Sequence, residues 1–305
     1  MHKTLSFLAL LLLIGTGCFP SSEETLSNDF TPVHGKASAS TDDEASPWDR
    51  RMMTAISYDG ITFTQNDQWI CDQCAVPDAV IKDGSIYVYY TGLTLGDRVN
   101  TTAVAVSQDI GRTWTYHYVE LVGNTISERF FDPDVVLLED GTFRLFFTGG
   151  QPKSIHYAES ADGITFTYKG VLFSQPDDTA QNSTTIHIGE TWHMYAQSKD
   201  GISRLWHLTG TDALTFTVYD LTSFPNDGVL SSPSNGFWKD DRFTLFMSDQ
   251  KSGSIGSMWS KNGFDWYPTG QTNLEPTQDE ASVEDPAVVD LGDGRYLMFY
   301  VTNIE

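Results

Sequence analysis

Basic residues are scarce in this 305-residue chain: 18 Lys and Arg stand against 41 Asp and Glu, a formal charge of −23. A surface that acidic repels phosphate backbones, which excludes nucleic acid as a partner and leaves an anionic lipid surface reachable only through an anchor. Cysteine is scarcer still, at three residues: Cys18, Cys71 and Cys74. No second cysteine pair completes a zinc site. His156, His187, His193 and His207 fall at strand-like positions without metal-ligand spacing. Long apolar runs are also missing. The run from Leu5 to Ile14 is too short to span a bilayer as a mature helix. After residue 50 no stretch carries the period of a long amphipathic helix. Bulk disorder is excluded, because 40% of residues are hydrophobic and 13% aromatic.

Lys3, the apolar run and the small residues Gly15-Thr16-Gly17 describe a secretory signal over 1–17. Cys18 directly after Gly17 resembles a bacterial lipoprotein processing site. That resemblance implies cleavage before Cys18 and acylation of its thiol. The product is an exported protein whose two acyl chains anchor it to a membrane. Plain secretion is the alternative. Residues 18–49 are rich in Ser, Glu and Asp with no apolar period, and read as a flexible tether. In an exported protein the remaining pair, Cys71 and Cys74, is expected to close a small disulfide loop.

From residue 50 to 305 one motif recurs five times: Ser57-Tyr-Asp59-Gly60, Ser107-Gln-Asp109-Ile-Gly111, Ser160-Ala-Asp162-Gly163, Thr211-Asp212 and Ser260-Lys-Asn262-Gly263. The aromatics that close it, Phe63, Trp114, Phe166, Phe216 and Trp266, are spaced by 51, 52, 50 and 50 residues. The chemistry is that of a turn. Asp or Asn binds local amides, and Gly accepts positive φ. The second copy resembles the Asp-box of sialidase-type propellers, a structural hairpin there, so Asp59, Asp109, Asp162 and Asp212 are assigned to architecture. Between the turns lie a short strand and an aromatic-rich strand, anchored at positions 77, 133, 184, 233 and 286. Four strands per fifty residues, five times over, predict an all-β, five-bladed β-propeller. The chain opens on a turn unit and ends on a strand unit. N-terminal strands should therefore complete the C-terminal blade and seal the ring. A β-sandwich or solenoid is the alternative.

The innermost strands of a propeller begin around its channel, and here they begin with acids and prolines. Asp132 and Asp285 each precede Pro, while Asp78 and Asp134 each follow one. Five blades with repeated Asp-Pro resemble the arabinanase-, invertase- and mannoside-phosphorylase-like glycoside hydrolases over about residues 50–305. The resemblance implies three carboxylates from the first three blades, acting as base or nucleophile, supporting Asp and general acid. Asp132 matches well, and Asp78 stands after its Pro rather than before it. The third blade, Asn182-Ser183-Thr184, offers no carboxylate, and Glu190 falls in the following turn. The catalytic candidates are Asp78, Asp132 and Asp285. Trp69, Arg129, Asp134 and Glu284 are candidates for binding substrate.

Two functions remain open: a glycoside hydrolase or phosphorylase lacking an identifiable third-blade acid, and a non-catalytic surface propeller that binds glycan or protein. The Asp-Pro units also read as plain strand starts. A sialidase would need an arginine cluster, and of nine Arg only Arg129 stands at an inner-strand start. The expected partner is a carbohydrate, the expected state a monomer. No cofactor is implied, though hard oxygen ligands in an acidic channel suit Ca²⁺.

Overall fold

The aromatic-rich segments read as near-continuous apolar runs, such as Tyr87-Val-Tyr-Tyr90 and Phe143-Arg-Leu-Phe-Phe147. A strand covered on both faces needs such a run, because neither face meets water. In a computed structural model of the chain, residues 29–37, 49–92, 101–123, 129–222, 224 and 230–304 are described. They contain no helix and form five sheets. The innermost strands are Cys74–Lys82, Phe131–Leu137, Gln181–Ile188, Leu230–Lys239 and Val283–Asp290, of blades 1 to 5 in turn. Each leads outward through antiparallel neighbours, and the apolar runs are the second strands. Phe143–Gly149 is buried along its whole length. Blade 2 gains a fifth strand, Glu120–Val122, parallel to its outer edge.

This is the predicted five-bladed propeller, closed as the order of units requires. Arg50–Ser57 pairs with Tyr296–Asn303 in unbroken antiparallel register from Arg50 opposite Asn303 to Ser57 opposite Tyr296. The fifth blade is thus shared by the two ends of the propeller.

The recurring turns join third to fourth strands and are built alike. The Ser57 hydroxyl accepts the Gly60 amide at 2.9 Å, and Asp59 Oδ1 accepts the Ile61 and Thr62 amides at 2.8 Å each. At Asp109, the hydroxyl and amide of Thr113 help hold the carboxyl down at about 2. Each turn also rests on a neighbouring blade. Gly163 of blade 2 has φ +79°, and a Cβ there would lie 2.8 Å from the Tyr89 hydroxyl of blade 1. That hydroxyl donates to the Gly163 carbonyl at 2.7 Å. Tyr195 donates in the same way to Gly263, latching blade 4 to blade 3.

Part of the segment assigned to a flexible tether is docked. Phe30 stacks on Tyr118 with centroids 4.5 Å apart, and Asp29 meets His117 at 2.6 Å. His34 stacks on Trp69 at 4.0 Å. The polar composition of 18–49 obscured two rings that find aromatic surface. The signal, Cys18 and the rest of 1–28 lie outside the described residues.

Removing the Tyr89 hydroxyl should strand a buried carbonyl. Tyr89→Phe is expected to cost about 1–3 kcal/mol in urea unfolding followed by tryptophan fluorescence. An unchanged midpoint would show that the latch carries no stability.

Candidate functional site

The inner strands of blades 1, 2, 3 and 5 share one irregularity at their starts. The register shifts between Ala75 and Asp78, Phe131 and Asp134, Gln181 and Ser183, and Glu284 and Ala287. At each shift one residue is left-handed: Val76 at φ 52°, Asp132 at 52°, Asn182 at 46° and Asp285 at 48°. For β-branched Val76 this is a strained conformation. In three cases a hydroxyl from the second strand of the preceding blade accepts the left-handed residue's amide. Thr91 serves Asp132 at 3.0 Å, Thr148 serves Asn182 at 2.9 Å and Ser248 serves Asp285 at 2.9 Å.

The irregularity sorts the candidate acids into two layers. Asp132 and Asp285 occupy equivalent left-handed positions and are half-buried. Asp78 and Asp134 lie one layer deeper, at 6% and 3% exposure. Asp78 is therefore the counterpart of Asp134, not of Asp132, whose first-blade equivalent is Val76.

The deeper acids are struts between blades. Asp78 accepts the Ala79 amide at 2.8 Å and, from blade 2, the Val135 amide at 2.6 Å. Asp134 accepts the Ser183 and Thr185 hydroxyls of blade 3 at 2.8 and 2.7 Å, and the Thr185 amide at 3.1 Å. Thr184 continues the series by donating to Pro233 of blade 4. Asn235 of blade 4 accepts the Val288 amide of blade 5 at 2.5 Å and donates to the Ala79 carbonyl of blade 1 at 3.1 Å. Burial pushes both carboxyls up, and the charge of Asp134 pushes Asp78 further. Asp78, expected in catalysis, and Asp134, expected to bind substrate, thus have their carboxylates hydrogen-bonded across the ring.

The upper pair is differently placed. Burial lifts Asp132 to about 6, against the Thr148 hydroxyl, which donates to Oδ2 at 3.1 Å, and the charge of Lys153. Burial, then the neighbouring Glu284, lift Asp285 to about 7, against Arg50 and the Val76 amide. The charge of Asp132 also raises Asp285. Glu284 is held in an ion pair with Arg50. On the axis lies a cavity of about 20 Å³, lined by Asp78, Asp134, Asn182, Ser183, Asp285 and their neighbours. That space suits about one water and is too small for a sugar ring.

The remaining candidates are scattered. Trp69 lies on the outermost strand of blade 5, donates to Asp72 Oδ1 at 2.8 Å and is faced by His34. It is not among the residues that line the axial cavity. Arg129 is exposed, three residues before Asp132. A disulfide joins Cys71 and Cys74 where the outer strand of blade 5 passes into the inner strand of blade 1. Among the described residues no group of three His, Cys, Asp or Glu is placed to hold a metal.

Sequence reading missed Arg50 and Lys153. Arg50 reaches Glu284 only because the ring closes, and Lys153 comes to the ring of Phe131, next to Asp132, from the following hairpin. Neither carries a local motif.

No protein-family model matches the chain. It is 26% identical over 166 residues to a probable arabinan endo-1,5-alpha-L-arabinosidase C of Aspergillus clavatus, covering 52% of this chain and 48% of that protein. The chain spans about half the length of the curated relatives it matches. Among solved structures it resembles a thermostable family-43 glycoside hydrolase, with a TM-score of 0.60 at 15% identity, covering 76% of this chain and 88% of that one. It also resembles an alpha-L-arabinofuranosidase from Clostridium thermocellum, with a TM-score of 0.56 at 17% identity over 73% and 80% of the two chains. The propeller is glycoside-hydrolase-like.

The two layers should separate in stability measurements. Asp134→Ala strands three donors and is expected to cost about 3 kcal/mol. Asp285 behaves oppositely. Its carboxyl titrates near 7 folded and near 3.9 unfolded, so stability falls as pH rises through that interval. Asp285→Asn should therefore raise stability at pH 8 by on the order of 1–2 kcal/mol and leave it unchanged at pH 4. Urea titrations at the two pH values check both; a loss at pH 8 would show that the Asp285 charge is not a burden.

Proposed function

We propose that this chain is a carbohydrate-active hydrolase working at the mouth of the channel, with Asp285 as general acid and Asp132 as base or nucleophile. The observation that carries the reading is the upper pair itself. Two half-buried carboxyls stand on equivalent left-handed positions, and burial lifts both; Glu284 pushes Asp285 further up while the Thr148 hydroxyl draws Asp132 down, so Asp285 is the better placed of the two to keep a proton. Glycoside cleavage needs that division. Asp285 gives its proton to the glycosidic oxygen as the bond to the anomeric carbon breaks. Asp132 either takes a proton from the incoming water or attacks that carbon. The arabinanase likeness makes an arabinofuranose-containing glycan the first substrate class to test. In this reading the acid stands on blade 5, because Asn182 occupies the third-blade position.

Asn182 also favours a second reading, a propeller that binds glycan without cleaving it. A sialidase is disfavoured: Arg50 is committed to Glu284, and Arg129 stands apart from the pair.

The protein is assayed on arabinan and a panel of chromogenic glycosides. Turnover with an optimum between pH 6 and 7 is expected. Asp132→Asn and Asp285→Asn should each lower kcat/KM by about 10²–10⁴. Absence of turnover on every glycoside, with retained glycan binding, would move the protein to the binding reading.

Export and anchoring complete the proposal, with Cys18 as the lipidated residue and residues 1–17 removed. Cys18→Ser is expected to abolish incorporation of labelled palmitate and to shift the protein from the membrane to the soluble fraction. Incorporation that survives the substitution would place the lipid elsewhere.

A further inference from the structure

We propose that the far end of the propeller axis is a second binding site, which takes a neutral sugar ring laid on Trp238; it does not depend on the roles given to the mouth carboxyls. The five inner strands end around a cavity of about 410 Å³, to which residues 79–81, 135–137, 185–187, 235–238 and 288–290 all contribute. That volume falls in the ~300–1,000 Å³ range of small-ligand pockets. Asp132 and Asp285 stand at the starts of the same strands, at the opposite end of the axis. The walls are apolar, from Val80, Val136, Leu137, Ile186 and Val288. Trp238, His187 and Asp290 are exposed at its edge.

Much of the lining is already committed. Asn235 binds blades 5 and 1, and Thr185 donates to Asp134. Phe237 stacks on Tyr296 with centroids 4.5 Å apart, and His187 on Trp192 at 4.4 Å. Trp238 is different. It is 49% exposed, and among the described residues its indole has neither a ring partner nor an acceptor for Nε1. It therefore offers a flat apolar face with a donor at the edge. Asp290 accepts the Gly292 amide through Oδ1 at 2.8 Å, which leaves Oδ2 as an acceptor. A sugar ring matches this set: its C–H face covers the indole, and its hydroxyls meet Asp290 and His187 at the edge. A wholly apolar ligand would bury those polar groups without partners. No Lys or Arg lines the cavity, and Lys82 and Lys239, which end two of the strands, donate to the carbonyls of Ala161 and Asp59. An anionic ligand would thus meet Asp290 and a chain charge of −23 with no counter-ion, so the sugar is neutral.

The test is nitrogen-15 NMR of tryptophan-labelled protein titrated with arabinotriose, xylotriose, mannotriose and galactotriose. Trp238→Phe and Trp192→Phe spectra assign the two indoles, and the Asp132→Asn, Asp285→Asn double variant prevents turnover during the titration. At least one trisaccharide should shift the Trp238 signal saturably. Trp238→Ala should weaken that binding, read on the Trp192 indole, by about tenfold or more, and Trp238→Tyr should keep most of it. Urea unfolding confirms that the variants are folded. A Trp238 signal that none of the four moves overturns the proposal, as does binding at Trp192 that survives Trp238→Ala. A Trp238 signal that moves with protein concentration alone makes this end a contact between copies, and one that answers only to an apolar probe such as p-cresol makes it an apolar site; either result also overturns the proposal. A trisaccharide that shifts Trp238 in a protein that cleaves no glycoside upholds the second site and counts only against the hydrolase reading.

Discussion

Polar side chains at the axis hold this ring in one arrangement. Asp78 binds the backbone of blade 2, Asp134 that of blade 3, Thr184 reaches blade 4, and Asn235 binds both blade 5 and blade 1. Apolar packing between blades is extensive but non-directional, and it would tolerate small slides of one sheet against the next. A buried carboxylate that must meet a particular amide does not tolerate them. The struts thus turn five adherent sheets into a ring with a definite mouth. The Tyr89 and Tyr195 latches perform the same task further from the axis.

That arrangement makes the site possible. An inner strand that ran regularly from its first residue would present alternating side chains to its two faces. The left-handed residue breaks the alternation, with a strut residue placed two positions later. Asp132 and Asp285 are therefore raised to the mouth by the same backbone irregularity that sends Asp134 down. The cost is desolvation, which both pairs show in carboxyls displaced upward. In the lower layer the displacement is relieved by several donors per carboxylate. In the upper layer donors are fewer, which leaves room for chemistry.

The five-fold period of the turns was legible because its ingredients are local: a serine, an acid and a glycine within a few residues, and an aromatic at the next strand. Ring closure followed from the order of units alone. The acids were legible as a group, since Asp-Pro recurs at positions 132 and 285. Their layers were not, because only two residues separate catalytic candidate from strut, and Pro77-Asp78 looks much like Asp132-Pro133. Only the observed register shift distinguishes them. Trp69 misled for a related reason: proximity in sequence to an inner strand does not give proximity to the axis when a whole blade edge lies between. Residues 29–37 misled through composition, which averages away the two rings that dock.

The placement of the few cations argues in the same direction as the placement of the acids. With 18 Lys and Arg against 41 acidic residues, an anionic rim would ordinarily be left to repel itself. Several arginines are committed to structural partners, such as Arg51 to Asp72 and Arg144 to Glu159. Arg50 is instead paired with Glu284, the residue before Asp285, and the Lys153 ammonium lies 5.4 Å from the ring centroid of Phe131, the residue before Asp132. If the upper acids were mere strand starts, protonation or solvent would suffice to relieve them, as hydrogen bonds do for Asp78 and Asp134. Two scarce charges are brought from distant parts of the chain to the residues that precede the two upper acids. A cation near each acid favours its ionised form and so opposes the burial that favours the neutral one.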